Sequence, residues 1–455
     1  GGSAAGIPED IDSRYFVENA PETLDVAREW YLDRSSGQLS YWPGDGENLT
    51  RAEVVAPALP QLVRLEGNAA ANQIIRNVSF RGLHFCDADW DLPNEGHSDH
   101  PQAAVEIGAA FEADGAQHCT IEDCSFERLG RYAIWFRNGC QDNRIVGNQI
   151  SDIGAGGIKL GETVMRENLV ERNHGQILTD NIIHHLGIVY PEAVGIWVGQ
   201  SSHNTISHNT IHDVNYTGIS VGWTWGYEAN LCDGHTIEFN HIHDIGKSTL
   251  NDLGAIYTLG QQPHTVIRNN LIHDVNSFAD RGRGIYLDEG STGILVENNI
   301  VYRCKSAGFH QHYGRDNLVR NNIFAFNLDA QFSRARAEPH NAFTFKHNIV
   351  YFDTGKLIAG AWKDDKYIVR NNIYFDSRGG DMLFGGVSLE EWCKRTGDET
   401  SLIADPGFRA PNRFDFSLSP NSPATAIGFQ PFDLQQAGAR IKKYADADKS
   451  QASEK

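Results

Sequence analysis

A short motif centred on asparagine recurs along most of the chain and restricts the folds that it can adopt. In each copy a short β-branched strand leads to an Asn and a second short strand follows, as in NTISHNTIHDVN and HTVIRNNLIHDVN. The recurring residues are Asn148, Asn181, Asn209, Asn240, Asn270, Asn299, Asn322, Asn348 and Asn372. Successive copies lie 23 to 33 residues apart, which suits one coil of a solenoid and is too short and helix-free for βαβ units.

A further strand lies between the Asn-bearing strands, as in GISVGW, AIYTLG and GIYLDE. Its side chains alternate with period two, and Gly or Asn marks the corners. We therefore predict an all-β fold, a right-handed parallel β-helix in which coils stack about 4.8 Å apart and equivalent positions form ladders. Stacked asparagine amides bond one another along such an axis, so the Asn repeat is assigned to the fold.

The repeat does not extend to either end of the chain. Residues 1–66 are predicted to form an N-terminal cap, a helix followed by the hairpin WYLDRSSGQLSYWP. Residues 67–380 are assigned to the β-helix, and residues 381–455 to a C-terminal capping helix and a Pro-rich tail. In SLEEWCKRTG, Ser388 and Glu391 form a capping box that begins this helix. Capping segments of this kind cover the strand edge that an open terminal coil exposes.

The charge of the chain limits its partners. The 39 Lys plus Arg residues and 59 Asp plus Glu residues give a formal net charge of −20, which disfavours nucleic acid and anionic membranes. No segment is long and apolar enough to span a membrane. Seven cysteines without regular spacing indicate neither a disulfide framework nor a zinc site. The opening residues GGSAAGIPED lack the features of a signal peptide, and the oligomeric state does not follow from the sequence.

Aligning the second strands on their glycines separates inward from outward side chains. Aliphatic residues such as Ile285 and Leu287 face inward. One outward column contains Trp197, Ser220, Tyr257, Tyr286 and His310, and the next contains Gly199, Gly222, Leu259, Asp288 and His312. The loop GWTWGYE adds Trp223 and Trp225 near this face. Flat aromatic rings stack well on sugars, and an exposed group of them is typical of a binding surface.

Asp252, Asp288 and Glu289 are the candidate catalytic residues of this face. Acidic residues are common in β-helix turns, where they are ordinarily solvated, but Asp288 continues the strand register and neighbours histidines. Asp252 aligns with Arg281 and Lys305 of the next coils and lies seven columns before Asp288, so a bend must bring the pair together. Two carboxylates about 5–9 Å apart are required for glycosidic cleavage, one as acid and one as nucleophile or base.

A second group of histidines and acids is an alternative site. His212, His243 and His273 each precede an Asp in successive IHD motifs, and a pair of histidines at 184–185 comes before them. Such ladders can bind a metal ion, but this one follows the Asn-bearing strand, on a different face from the aromatic residues. We assign it to a solvated structural ladder, and we predict no metal and no cofactor.

Several segments together resemble one family of parallel β-helix enzymes, glycoside hydrolase family 141. They are RYFVENAPETLD, GISVGWTWG, LNDLGAIYTLG, GIYLDEGS, GFHQHYGRDNLVRNNIFA and DFSLSPNSPATAIGFQPFD. The resemblance covers most of residues 12–440 and implies a secreted or periplasmic α-L-fucosidase or xylanase that acts on plant cell-wall polysaccharide. It also implies that Asp252 and Asp288 are the catalytic pair. Relatives carry earlier coils and an inserted β-domain before RYFVENA, which this chain lacks.

The expected function is therefore that of a glycoside hydrolase with a polysaccharide or oligosaccharide substrate. The expected substrate-binding residues are Trp223, Trp225, Tyr257, Tyr286, His310, His312 and Arg315. A polysaccharide lyase remains an alternative, because Arg281, Arg283, Lys305 and Arg315 are near the same face and a lyase needs a base and a cation beside a uronate. A non-catalytic carbohydrate-binding β-helix is a third possibility, since it would keep the aromatic face and need no carboxylate pair.

Overall fold

The computed structural model describes residues 17–90, 97 and 102–440. The chain divides into two compact units, Gly1–Pro57 with Leu92–Ser98, and Ala58–Asp91 with Asp99–Lys455. In the larger unit, three long parallel sheets form the faces of a β-helix, which confirms the predicted fold class. None of the helices in the described part of the chain combines the length and apolar character needed to cross a membrane.

Sheet 1 carries the outward columns named above. Its eleven strands are Val63–Glu66, Ala109–Asp114, Tyr132–Phe136, Ile158–Leu160, Ile196–Val198, Ile219–Val221, Leu253–Thr258, Gly282–Leu287, Ala307–Gln311, Ala330–Arg334 and Lys356–Gly360. Sheet 2 leads into the Asn ladder. Its eleven strands are Ser79–Arg81, Thr120–Glu122, Arg144–Val146, Ile177–Thr179, Thr205–Ser207, Thr236–Glu238, Val266–Arg268, Leu295–Glu297, Asn317–Arg320, Phe343–Lys346 and Ile368–Arg370.

Sheet 3 follows the Asn ladder. Its twelve strands are His84–Ala88, Ser125–Leu129, Gln149–Ile153, Ile182–Leu186, Thr210–Val214, His241–Ile245, Leu271–Val275, Ile300–Cys304, Ile323–Ala325, Ile349–Phe352, Ile373–Asp376 and Leu402–Ile403. Short parallel pairs link some corners. They are Ile75–Arg76 with Ala116–Gln117, Asn173–His174 with Ser201–Ser202, and Ser291–Thr292 with Gly314–Arg315. Single turns of 3-10 helix occupy Leu169–Glu171, Pro411–Arg413 and Pro423–Ile427.

The predicted asparagine ladder is confirmed at the corner between sheets 2 and 3. All nine asparagines are fully buried, and each amide bonds the next; for example, Asn240 Nδ2 donates to Asn270 Oδ1 at 3.0 Å. The residue before nearly every ladder Asn has a left-handed backbone, as at Asp180 (φ 59°) and His208 (φ 53°). Asn, Asp and His tolerate this conformation better than other side chains do, so the local sequence suits the turn.

The inward columns form the core. Ile196, Ile219, Ile256 and Ile285 follow one another in register through four strands of sheet 1, and each is fully buried. Burying one such side chain contributes about 1.5–3 kcal/mol, so the stacked aliphatic columns are the main source of stability. This result confirms the inward and outward alternation that the glycine alignment predicts.

The N-terminal unit contains the predicted hairpin, with Trp30–Asp33 antiparallel to Gln38–Tyr41. In the described residues before the hairpin, 17–29, a 3-10 turn, Pro21–Thr23, is present in place of the expected helix, because Leu24 leaves helical geometry (ψ 77°) directly after it. Strand Val63–Glu66 pairs with Ala109–Asp114, so sheet 1 already includes the last residues of the segment assigned to the cap. The domain boundaries at residues 66 and 380 stay predictions.

The predicted C-terminal helix is present as Leu389–Thr396. Ser388 Oγ accepts a hydrogen bond from the Glu391 backbone N–H, and Gly397 ends the helix with a left-handed backbone (φ 70°). An antiparallel pair, Phe408–Ala410 with Asp415–Leu418, follows.

Residues 430–440, which we call the return segment, run back along the turn column beside the Asn ladder. The Gln430 N–H donates to Asn321 Oδ1 at 2.7 Å, and the Gly438 N–H donates to Phe239 O at 2.8 Å. Farther on, the Arg440 guanidinium pairs with both carboxylate oxygens of Asp180 at 2.8 and 2.7 Å. The segment therefore fastens coils that are far apart in sequence.

Candidate active site

The site is built on one outward column of sheet 1. Strand pairing places Trp197 beside Ser220, Ser220 beside Tyr257, Tyr257 beside Tyr286, and Tyr286 beside His310. This is the column that the sequence predicts. Its members are more enclosed than an open platform would be, because Trp197 is fully buried and Tyr257 and Tyr286 are each only 3% exposed.

Asp288 directly follows the strand Gly282–Leu287 and points into this enclosed space. It is 8% exposed, and three donors converge on its carboxylate. The Tyr257 hydroxyl donates to Oδ2 at 2.6 Å, the Tyr286 hydroxyl donates to Oδ1 at 2.9 Å, and His312 Nδ1 lies 2.9 Å from Oδ1. Hydrogen bonds of this kind stabilise the charged carboxylate, which suits a nucleophile or a base.

Asp252 lies at the start of the neighbouring strand and reaches the same space through a bend. Its backbone is left-handed (φ 59°), and its side chain is 45% exposed. Arg283 Nη1 lies 2.6 Å from Oδ1 and Arg281 Nη1 lies 3.3 Å from Oδ2. The Tyr286 hydroxyl also contacts Oδ1, at 3.3 Å. The predicted bend therefore exists, although the part of Asp252 in catalysis stays a prediction.

The shared Tyr286 hydroxyl limits the distance between the two carboxylates. Its oxygen is 2.9 Å from Asp288 Oδ1 and 3.3 Å from Asp252 Oδ1. Those two carboxylate oxygens are consequently no more than about 6 Å apart, which brings the carboxyl groups within the range of roughly 5–9.5 Å found in retaining and inverting glycosidases.

Glu289 lines the space from the turn after Asp288. Its Oε2 accepts a hydrogen bond from the Tyr313 hydroxyl at 2.8 Å, and its Oε1 lies 3.9 Å from His312 Nδ1. The backbone carbonyl of Glu289 accepts from the Gly260 N–H at 2.9 Å, which fixes the turn. Glu289 is therefore a third carboxylate at the rim, beside the pair.

These groups line one cavity of about 400 Å³, within the range of small-molecule sites. Its lining residues are Gln102, Trp225, Asp252, Tyr257, Arg281, Arg283, Tyr286, Asp288, Glu289, His310, His312 and Ala335. The structure thus brings together eight of the ten predicted site residues.

Two predicted substrate-binding residues lie outside this cavity. Trp223 packs edge-on between Trp197 and Trp225, with ring centroids 5.5 and 4.9 Å away, so it supports the wall behind Trp225. Arg315 lies over the Tyr227 ring, 5.5 Å from its centroid. Trp225 itself is 44% exposed and is the aromatic face of the cavity that is open to a ligand.

Burial sets the protonation of the residues around Asp288. It lowers the pKa of His310 well below its usual value, and the nearby Arg283 lowers it further, so the imidazole is neutral; its Nδ1 lies 2.7 Å from Ser333 Oγ. Burial and the charge of Asp288 raise the pKa of Tyr257, and the same two causes raise the pKa of Tyr286. Both phenols therefore remain protonated donors.

Sequence reasoning missed two residues of the site. Gln102 Nε2 donates to the Tyr257 hydroxyl at 3.1 Å, and the Tyr216 hydroxyl lies 3.0 Å from both Gln102 Oε1 and the backbone oxygen of Asp252. Neither residue belongs to a repeated column. Gln102 comes from a segment between two early strands, and no periodicity marks it.

The histidine ladder lies on sheet 3, away from the cavity, as predicted. The rings of His184, His212, His243 and His273 stack nearly parallel, with centroids 4.8, 4.9 and 5.1 Å apart. Burial lowers the pKa of His212 to about 3 and also lowers the pKa of His273, so these two imidazoles are neutral and less solvated than the sequence predicts. In the described part of the chain, no group of three or more His, Cys, Asp or Glu side chains has a geometry that could hold a metal ion.

Comparison with known proteins gives one family match and several relatives. Residues 68–223 and 222–374 match the family model for a right handed beta helix region. The protein YwoF of Bacillus subtilis (strain 168), described as uncharacterized, is 25% identical over 207 residues, which are 43% of this chain and 39% of YwoF.

Among solved structures, one named glycoside hydrolase aligns with a TM-score of 0.58 and 25% identity over 67% of this chain and 56% of its own. The GH136 lacto-N-biosidase from Eubacterium ramulus aligns with a TM-score of 0.41 and 12% identity over 59% of this chain and 51% of its own. The chain spans less than two thirds of the length of each of these three proteins.

Proposed function

Because this chain belongs to the family of right-handed β-helix proteins, and because one outward column of its sheet 1 lines a cavity together with three carboxylates, we propose that it is a glycoside hydrolase. The observation that carries the proposal is the contact of one hydroxyl, that of Tyr286, with both Asp252 and Asp288. This contact holds two carboxylates at the separation that glycosidic cleavage uses. The likeness to the solved structure named glycoside hydrolase supports the same reaction class.

In this proposal Asp288 acts as the nucleophile or base. Its three donors stabilise the charged carboxylate, and Oδ2 is contacted by the Tyr257 hydroxyl alone among the described residues, so this oxygen keeps a lone pair for attack. The neutral His310, which lines the cavity and contacts Ser333 through Nδ1, can bond a sugar hydroxyl group through its other ring nitrogen, while the protons of the two phenols are directed to Asp288. Trp225 supplies the apolar face on which a sugar ring stacks.

Asp252 acts as the general acid. It is the more exposed of the two carboxylates, with 45% of its side chain accessible against 12% for Asp288, so a leaving oxygen can reach it more readily. Its contacts with Arg281 and Arg283, which also line the cavity, fix the orientation of the carboxylate.

The proposed substrate is a plant cell-wall polysaccharide or oligosaccharide of the fucosylated pectin or xylan type, and the proposed location is secreted or periplasmic. These proposals come from the resemblance to glycoside hydrolase family 141. A net charge of −20 also favours a substrate without a dense array of phosphates.

The test is the release of reducing ends from fucosylated pectin fragments, xylans and alginate by the wild type, Asp288→Asn and Asp252→Asn. We expect release by the wild type and a loss of at least about a hundredfold in each variant, since one carboxylate role is removed. Asn341→Ala, a surface change away from the cavity lining, is the matched control and should keep full activity.

One observation keeps a polysaccharide lyase as the second candidate. Arg281 and Arg283 both line the cavity and can neutralise the carboxylate of a uronate. A lyase forms an unsaturated product with ultraviolet absorbance, whereas a hydrolase does not. Absorbance that grows together with chain cleavage would replace the hydrolase assignment, and binding without any cleavage would make the chain a carbohydrate-binding protein.

A further inference from the structure

We infer that Lys159 is a positioning residue for the proposed reaction: it holds residues 102–107 against sheet 1 so that Gln102 orients the hydroxyl of Tyr257 toward Asp288. The inference rests on the proposed function, because Tyr257 matters only if Asp288 reacts. Lys159 is not among the residues that line the cavity, so its effect has to pass through the segment.

The first step is the direction of one proton. A phenol has a single proton, and the Tyr257 oxygen contacts both Gln102 Nε2 at 3.1 Å and Asp288 Oδ2 at 2.6 Å. The amide N–H of Gln102 can only donate, so it occupies a lone pair of the phenol oxygen. The Tyr257 proton is therefore directed to Asp288. The Tyr216 hydroxyl lies 3.0 Å from Gln102 Oε1 and so contacts the other end of the amide.

The second step is that the segment carrying Gln102 does not hold its conformation by itself. Ala103 (φ 67°) and Ala104 (φ 44°) follow Gln102, and both have left-handed backbones. Two successive alanines in this region are strained, so the surrounding structure must impose the conformation. The Tyr132 hydroxyl donates to the Ala103 carbonyl at 2.5 Å, which is one such restraint.

Lys159 supplies the main restraint. Its side chain is completely buried, and Nζ donates to the carbonyl oxygens of Val105 and Ile107, both at 2.7 Å. The ammonium group lies 3.4 Å from the centroid of the Trp135 ring, on which it makes a cation–π contact. No carboxylate lies within ion-pair distance of Lys159 in the described part of the chain, so backbone carbonyls and aromatic faces are its partners. A buried lysine of this kind is costly, and among the described residues both of its hydrogen bonds go to this segment.

The third step is that Lys159 and Tyr257, which contact the two ends of this segment, lie on the same outward column of sheet 1. Strand pairing places Trp135, Lys159 and Trp197 in the outward column that continues through Ser220 to Tyr257. Lys159 is three coils before Tyr257, about 14 Å at the usual spacing of parallel strands. Lys159 holds the segment at Val105 and Ile107. Gln102, at the start of the same segment, contacts Tyr257 farther along this column of the sheet.

Two substitutions and their combination test the inference. Gln102→Leu removes the amide donor, and Lys159→Met keeps the apolar stem while removing the ammonium group. We expect each to lower kcat roughly tenfold to a hundredfold with little change in KM, because the reacting geometry and not sugar binding is disturbed. The double variant should lose no more than Gln102→Leu alone, since both changes remove the same contact. Arg440→Gln, in the return segment and outside the cavity lining, is the control and should lower kcat in neither background.

Hydrogen exchange separates this inference from the proposed function. Amides of residues 103–108 should exchange faster in Lys159→Met than in the wild type, whether or not the protein hydrolyses a sugar. Unchanged exchange there would refute the holding role of Lys159. If the fold-losses of kcat in the two single variants multiply in the double variant, the link to Tyr257 is refuted. A rise in KM with kcat nearly unchanged would refute it as well. If the wild type cleaves nothing, the proposed function fails and the catalytic part of the inference fails with it, while exchange still decides the holding role.

Discussion

Replacing Asn240 by leucine tests the asparagine ladder near its centre. Asn240 Oδ1 accepts from the backbone N–H and from Nδ2 of Asn209, both at 3.0 Å. Asn240 Nδ2 donates to Ile206 O at 2.9 Å and to Asn270 Oδ1 at 3.0 Å. Leucine fills a similar volume without any polar atom, so all of these bonds are lost together.

The expected cost follows from these contacts. Each lost hydrogen bond is worth about 1 kcal/mol net, and the buried Asn209 N–H, whose acceptor is Asn240 Oδ1, adds roughly 1–3 kcal/mol when it is left unpaired. The four bonds and the unpaired N–H together give an expected decrease of about 5–7 kcal/mol in the free energy of unfolding for Asn240→Leu. That is a large part of the stability of an ordinary domain.

Urea unfolding followed by tryptophan fluorescence and by far-ultraviolet circular dichroism measures this change, because coincident transitions justify a single free energy. Asn341→Ala is the matched control. Its amide donates to Asp316 Oδ1 at 3.2 Å in an exposed position, so its loss should change the free energy of unfolding by less than about 0.5 kcal/mol. Equal urea midpoints for the two variants would show that the ladder contributes no special stability.

Three further predictions concern the site and the histidine stack. Tyr286→Phe removes the hydroxyl shared by Asp252 and Asp288, and kcat/KM should fall about tenfold to a hundredfold with the circular dichroism spectrum unchanged; full activity would contradict the role of the shared contact. Proton NMR of the first product decides between the two proposed roles of Asp288, because retention of the anomeric configuration requires a nucleophile and inversion requires a base; release of both anomers from the start would contradict either role. Burial lowers the pKa of His212 from 6.5 to about 3, so below pH 6.5 the unfolded chain takes up a proton that the folded chain does not. The free energy of unfolding should therefore decrease between pH 6.5 and pH 3, by at most about 5 kcal/mol for this residue, and His212→Leu should show a smaller decrease in pH-dependent urea unfolding.

The sequence was sufficient for the repeated part of the molecule. The spacing of the asparagines predicts the ladder, because each interval corresponds to one coil and so places every amide at the same corner. The glycine alignment predicts that Tyr257, Tyr286 and His310 share a column, since parallel pairing preserves register from strand to strand. Period two then determines which side chains face outward.

The rest of the site depends on segments that do not repeat. Gln102 reaches Tyr257 from more than a hundred positions away in the chain, and neither spacing nor hydropathy indicates that contact. The same segments cover the outward column. Asp288 points outward from the sheet, and because of this cover it is only 8% exposed. Trp223 and Arg315 show the converse: residues close to the site in sequence turn their side chains to other aromatic rings.

The return segment changes how such a molecule can fold and come apart. A plain solenoid has only contacts between neighbouring coils, so its terminal coils can fray one at a time. Here Arg440 and Asp180 close a loop of 260 residues, and Gly438 and Gln430 attach to coils in between. These contacts raise the mean sequence separation of native pairs, which slows folding, and they require the chain to be synthesised past residue 440 before the segment can dock. The return segment contacts the coils from Asp180 to Asn321. We therefore expect these coils to unfold together as one cooperative unit.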